Sequence, residues 1–113
     1  NWIMQGALEE VLKIDEMEIS PDHFTLYQNY PNPFNPSTII SYNLPKDSHV
    51  NISIFDVLGR KVKTLTNHYM KAGKNKVQWN GENDHGKLLA AGVYIYKIQS
   101  GGYNQSKKMI LVK

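Results

Sequence analysis

The chain has 113 residues, no cysteine and a formal net charge of +3. That length suits one domain with one core, and the lack of cysteine excludes disulfide frameworks and thiolate metal sites. No apolar run approaches the roughly 20 residues that cross a bilayer as a helix, so the chain is not expected to be transmembrane.

The charge is unevenly divided along the chain. Residues 1–23 carry Glu9, Glu10, Asp15, Glu16, Glu18 and Asp22 against Lys13, a net of −5. Residues 24–113 hold twelve Lys or Arg against Asp47, Asp56, Glu82 and Asp84, a net of +8. An acidic arm lying on a basic body, its own or a neighbour's, is one expectation; solvated charges on separate surfaces are the other. Within the arm, Leu8, Val11 and Leu12 have helical spacing, whereas Leu8, Glu10, Leu12 and Ile14 alternate as in a strand, which is the expectation favoured here. Asn1-Trp2-Ile3-Met4 lacks the basic region and apolar stretch of a signal peptide, and the chain is expected to follow the body of a longer protein.

Residues 24–27 form a first predicted strand, leading into Tyr30-Pro31-Asn32-Pro33-Phe34-Asn35-Pro36. Three prolines within six residues forbid both a helix and a central strand, so this stretch is predicted to be a stiff turn or a crossover between sheets. From residue 37 onward apolar residues recur with a period of two. Thr38, Ile40, Tyr42 and Leu44 alternate before a turn at Pro45, and Val50, Ile52 and Ile54 follow, ending at the turn Asp56-Val57-Leu58-Gly59. Residues 61–65 read as a short basic edge strand, since lysines discourage unwanted pairing. Val77 and Trp79 share a face of the next strand, and a loop runs from Gly81 to Gly86. Gly92 opens the strand through Tyr94 to Ile98, and Gly101-Gly102 joins it in a hairpin to the final strand, residues 106–112. About seven strands with frequent turns predict an all-β, immunoglobulin-like antiparallel sandwich over residues 24–113, preceded by an extended N-terminal arm.

Residues that could carry chemistry are scattered. His23, His49, His68 and His85 have no ligand spacing, and no Gly-x-Ser-x-Gly elbow is present. The acids Asp47, Asp56, Glu82 and Asp84 fall in predicted turns, where such residues cap the backbone. The glycines from Gly81 to Gly92 lack the Gly-Lys-Ser/Thr ending of a phosphate loop. Basic residues spread over strands without a recognition helix argue against specific nucleic-acid binding. The expectation is a non-enzyme without cofactor or metal. Trp2, Tyr27, Tyr30, Phe34, Tyr69 and Tyr103 leave a sugar-stacking platform as an alternative, although aromatic residues also fill strand cores.

Four blocks carry a family resemblance. The segment from Leu26 to Ile40, with Tyr30-Pro31-Asn32-Pro33-Phe34-Asn35-Pro36 at its centre, resembles the opening of the C-terminal sorting domains (type A) of type IX secretion cargo from the Bacteroidota. Ile54-Phe55-Asp56-Val57-Leu58-Gly59-Arg60 is similar to that family's second block. Trp79-Asn80-Gly81 with Gly92-Val93-Tyr94-Ile95-Tyr96 resembles its third, shared with the immunoglobulin-like domain of flagellar hook-capping proteins. Lys107-Lys108-Met109-Ile110-Leu111-Val112-Lys113 is similar to the basic and apolar terminus.

The resemblance implies a sorting and surface-attachment module that carries a cargo through the periplasm and the type IX translocon to the cell surface or beyond. It implies that the terminal strands are read, with Gly92, Tyr94, Lys107, Lys108, Met109, Leu111 and Lys113 as signal residues, and that surface lipopolysaccharide is an attachment partner. Pro31, Asn32, Pro33, Phe34, Asn35, Pro36, Asp56, Gly59, Trp79 and Gly81 serve as structural motif residues, the glycines permitting turns and Trp79 anchoring the core. A rival expectation is an extracellular filament subunit, in which Leu8, Val11, Leu12 and Ile14 of residues 1–20 are donated as a strand to a neighbouring copy.

Overall fold

The computed structural model describes residues 23–113, and every regular element within them is a strand. In chain order these are β1 Thr25–Leu26, β2 Thr38–Leu44, β3 Ser48–Phe55, β4 Lys61–Met70, β5 Gly73–Trp79, β6 Gly92–Ser100 and β7 Tyr103–Leu111. They pair antiparallel into a three-stranded sheet, β1-β2-β5, and a four-stranded sheet, β4-β3-β6-β7.

Alternation along the strands explains why the sheets stack. Thr38, Ile40, Tyr42 and Leu44 of β2 are buried, as are Val50, Ile52 and Ile54 of β3, Tyr94, Tyr96 and Ile98 of β6, and Met109 and Leu111 of β7. Thr38 aside, they form with Leu26, Phe34 and Trp79 one apolar cluster drawn from both sheets. Each such aliphatic or aromatic side chain contributes about 1.5–3 kcal/mol on leaving water. The immunoglobulin-like sandwich expected from the sequence is the fold observed.

Two details differ from expectation. The first strand shrinks to Thr25–Leu26, and Phe24 instead stacks its ring on Tyr103 at 4.7 Å. The edge strand β4 is longer than the predicted 61–65, because β3 pairs with it from Phe55 opposite Lys61 to Ser48 opposite Met70. Register shifts between Ile52 and Ser53 and between Ile54 and Phe55 leave Leu65 and Val62 as extra residues, and these bulges break the period of two that marks a strand. Finally, of the stiff turn and the crossover expected of the proline segment, the turn is what is found. It leaves β1 and returns to β2, neighbours in the same sheet, and visits the other sheet in between.

The β3–β4 turn is built around Asp56. Its Oδ1 accepts from the backbone N–H of Leu58 (2.9 Å) and Arg60 (3.0 Å), and its Oδ2 accepts from Arg60 Nε at 2.8 Å. These bonds, that from the Arg60 N–H first among them, hold the carboxyl below its ordinary pKa, with burial opposing. Gly59 sits at φ +83°, a backbone region that glycine adopts without penalty. The arm residues Leu8, Val11, Leu12 and Ile14, and with them the choice between helix and strand, lie outside the described residues.

Candidate functional site

The proline segment is tied down at both ends before it reaches across the sandwich. The buried Tyr96 hydroxyl donates to Tyr27 O and accepts from Asn29 N–H, both at 2.8 Å. Burial raises this phenol to about 12, the Asn29 N–H opposing. Asn29, itself 2% exposed, donates through Nδ2 to Thr38 Oγ1 (2.9 Å) and Pro31 O (3.1 Å), and Thr38 Oγ1 donates to Pro31 O at 2.8 Å. Tyr30 and Ile39 exchange two backbone bonds at 3.0 and 2.9 Å. A buried polar group is tolerated when it is partnered, and here the partnering brings the two ends of the loop together.

The tip of the loop then lies against the free edge of β7. Phe34 N–H donates to Ile110 O at 2.9 Å, and Val112 N–H donates to Phe34 O at 2.9 Å, so one residue supplies both halves of a parallel bridge to Leu111. Ile110 N–H donates to Asn32 Oδ1 at 3.0 Å, and Gln28 Nε2 donates to Lys108 O at 2.8 Å. Proline lacks an N–H, so Pro31, Pro33 and Pro36 have none to donate to the ladder, and the edge is held by the Phe34 backbone and the Asn32 and Gln28 side chains.

Phe34 also anchors the tip from beneath. Its ring is 1% exposed and lies 5.7 Å from Trp79, which in turn meets Tyr94 edge-on at 5.6 Å. Trp79 Nε1 donates to Glu82 O at 2.9 Å. Gly81, at φ +72°, lets this corner close: a Cβ there would stand 3.2 Å from Pro36 O and 3.5 Å from the Leu111 side chain. Residues from three of the four blocks, Phe34 from the first, Trp79, Gly81 and Tyr94 from the third and Leu111 from the last, therefore meet at one place.

The remaining sequence-derived residues distribute as follows. Lys108 and Lys113 are exposed and Lys107 is half-buried, whereas Met109, Leu111 and Tyr94 belong to the core. Gly92 faces Leu111 across the β6–β7 ladder. Pro31, Pro33, Asn35 and Pro36 are exposed on the loop. Asp56 and Gly59 stand in their own turn. Burial, with the Asp56 charge as a smaller cause, raises the Tyr94 phenol, whose hydroxyl donates to Ala90 O at 2.6 Å. Sequence reasoning did not single out Gln28, Asn29, Thr38 or Tyr96. The only signal for them was the polar pair Asn29 and Thr38 flanking the prolines.

Trp2 lies outside the described residues, and among those described the aromatic platform does not form. Phe34 is core, Tyr103 is covered by Phe24, and Tyr30 and Tyr69, 80% and 72% exposed, belong to the proline loop and to β4 in the other sheet. A depression of about 470 Å³ is lined by Tyr27, Ser41, Tyr42, Lys74, Asn75 and Lys76. Among the described residues no three His, Asp or Glu side chains gather as metal ligands do. No helix among them is long and apolar enough to cross a membrane.

The described residues thus form an immunoglobulin-like sandwich with a proline-rich segment hydrogen bonded along the edge of its last strand. The model of the secretion system C-terminal sorting domain matches residues 28–113. The chain belongs to that family, the sorting domains of type IX secretion. Its fold is shared with latent PorU from Porphyromonas gingivalis, at 24% identity over 77% of this chain and 9% of PorU, with a TM-score of 0.61. PorZ from the same organism aligns at 21% identity over 78% of this chain and 11% of PorZ, TM-score 0.54. FlgD from P. aeruginosa aligns at 21% identity over 71% of this chain and 70% of FlgD, TM-score 0.54. No curated protein matches. The domain is a sorting module for secreted cargo that engages the type IX machinery, and the protein bearing it is exported to the cell surface or beyond. Neither the filament nor the carbohydrate alternative is favoured.

Proposed function

We propose that the module has no catalysis of its own and that the translocon, meeting the folded domain after passage through the periplasm, reads the strand β7 and its flanks. The observation that carries this is the clamp: Asn32 and Phe34 hold the backbone of Ile110 and Val112, and so fix the stretch of chain from which Lys107, Lys108 and Lys113 project. Met109 and Leu111 serve the signal as anchors inside the core, and Tyr94 and Gly92 brace them from β6. After export, the upstream protein is retained by attachment to surface lipopolysaccharide.

The test is a fluorescent cargo fused ahead of the full chain in a type IX-competent cell. Export is expected, together with its loss when Lys107, Lys108 and Lys113 are all replaced by serine, changes that leave the buried anchors in place. A wild-type fusion that stays inside refutes the sorting role. Undiminished export of the triple variant refutes the part given to the lysines.

A further inference from the structure

Over Lys108 to Val112 the outward edge of β7 is already hydrogen bonded to Gln28, Asn32 and Phe34. A partner therefore cannot add a strand along this stretch without displacing the clamp. What the folded domain leaves accessible beside β7 is the outer face of its sheet, and that face is unusual. Outward positions of an antiparallel sandwich strand are ordinarily polar. Here Val93 lies opposite Ile110, and Ile95 lies opposite both Phe55 and Lys108. All are outward, since the alternate residues Tyr94, Tyr96, Ile54, Met109 and Leu111 fill the core. Val93 and Ile110 are 39% and 41% exposed, and Val57, just past Phe55 in the β3–β4 turn, is 67% exposed. Three adjacent strands thus carry a continuous apolar patch at the end of the sheet that holds the clamp.

The charge around the patch has one sign. None of β3, β4, β6 and β7 contains an Asp or Glu. Lys61 and Lys97 flank the patch from β4 and β6, and Lys108 from β7. Asp56, in the adjoining turn, is engaged by Arg60, and Asp84, against the outer edge of β4, accepts from the Thr64 N–H. An apolar centre with a cationic rim is the surface expected of a recognition site.

We infer that the export machinery engages this outer face, through a protein surface whose apolar centre covers Phe55, Val57, Val93, Ile95 and Ile110 and whose carboxylates meet Lys61, Lys97 and Lys108. The inference rests on the sorting role proposed above and adds that recognition is by side chains across three strands rather than by strand addition to the terminus.

The experiment uses the same full-chain fusion with substitutions off the terminal strand. One arm places a carboxylate in the patch, Val93→Asp with Val57→Asp; the other reverses the rim, Lys61→Glu with Lys97→Glu. All four side chains point to solvent, and thermal unfolding of each purified variant is expected to match wild type. Export is expected to fall about tenfold or more in both arms, the loss typical of a disrupted central contact. Equal export of wild type and folded variants overturns the inference while leaving the sorting role intact. Failure of the wild-type fusion overturns the sorting role and this inference with it. A concentration-dependent wild-type dimer that Val93→Asp dissolves would assign the patch to a second copy, and overturns the inference too.

Discussion

Replacing Phe34 with alanine perturbs the clamp at its anchor. The ring is almost wholly buried against Trp79, and truncating such a phenylalanine costs ~3–5 kcal/mol even when nothing else moves. The ring also holds the loop tip where three bonds are made, Phe34 N–H to Ile110 O, Val112 N–H to Phe34 O and Ile110 N–H to Asn32 Oδ1. At ~1 kcal/mol net for each, release of the tip adds about 3 kcal/mol. Against a total stability of ~5–15 kcal/mol for a domain, the smaller figure already lowers the melting temperature by at least about 12 °C. Urea and thermal unfolding of the full chain measure the loss, and amide hydrogen exchange locates it, with the Ile110 and Val112 amides losing protection ahead of those in β3. A loss under about 1 kcal/mol, with both amides still protected, would refute the clamp.

Gly81→Ala forces a side chain into a left-handed backbone position and against Pro36 O, whereas Gly59→Ala meets only the backbone penalty, having no atom within 4 Å of the new Cβ. The expected costs are roughly 1–2 kcal/mol at Gly59 and clearly more at Gly81, compared by urea unfolding; equal costs would show that the corner at Leu111 is not tightly packed. Tyr96→Phe deletes the hydroxyl between Tyr27 O and Asn29 N–H and is expected to cost ~1–3 kcal/mol, with loosening at Tyr27 to Asn29 seen by hydrogen exchange. In the wild type this phenol ionises near 12. Being raised in the fold, it contributes stability that is complete below the ordinary tyrosine value of about 10 and is lost as pH rises through the folded value, readable by tyrosinate absorbance. Asp56 has the opposite sign. Its pKa is depressed, so its contribution is present above the ordinary carboxylate range and disappears as pH falls through the folded value. Urea midpoints should therefore drop more steeply with acid in wild type than in Asp56→Asn, and parallel curves would contradict the turn geometry.

The sheets were legible because one face of each strand is buried, which writes a period of two into β2, β3 and β6. Where the backbone departs from that geometry the pattern fades. Bulges at Val62 and Leu65 hid half of β4, and a two-residue β1 offers no period at all. The prolines announced a stiff segment, but its destination was out of reach. Pairing of Asn32 with Ile110 spans 78 positions and uses one side-chain oxygen, a link that no local pattern encodes. Resemblance to a family brought the right blocks forward without saying that Phe34, Trp79, Gly81 and Leu111 touch. Thr38 was legible only as the first inward residue of a strand and Asn29 not at all, because the bond between them crosses the proline segment.

The outward lysines of β6 and β7 were visible as charge, whereas the apolar patch among them required knowing which strands are neighbours. Val93 and Ile110 stand 17 positions apart in the sequence and directly opposite in the ladder.

The reach of the clamp also sets the order in which the domain can be completed. Phe34 emerges early in synthesis, and its hydrogen-bonding partners come almost a whole domain later. Contacts of such long range are slow to close, so the sandwich stays unlatched until the stretch through Val112 has been made. A chain that ends before Ile110 lacks all three bonds that hold Asn32 and Phe34 at the edge of β7, so the latch is the last part of the fold to be completed.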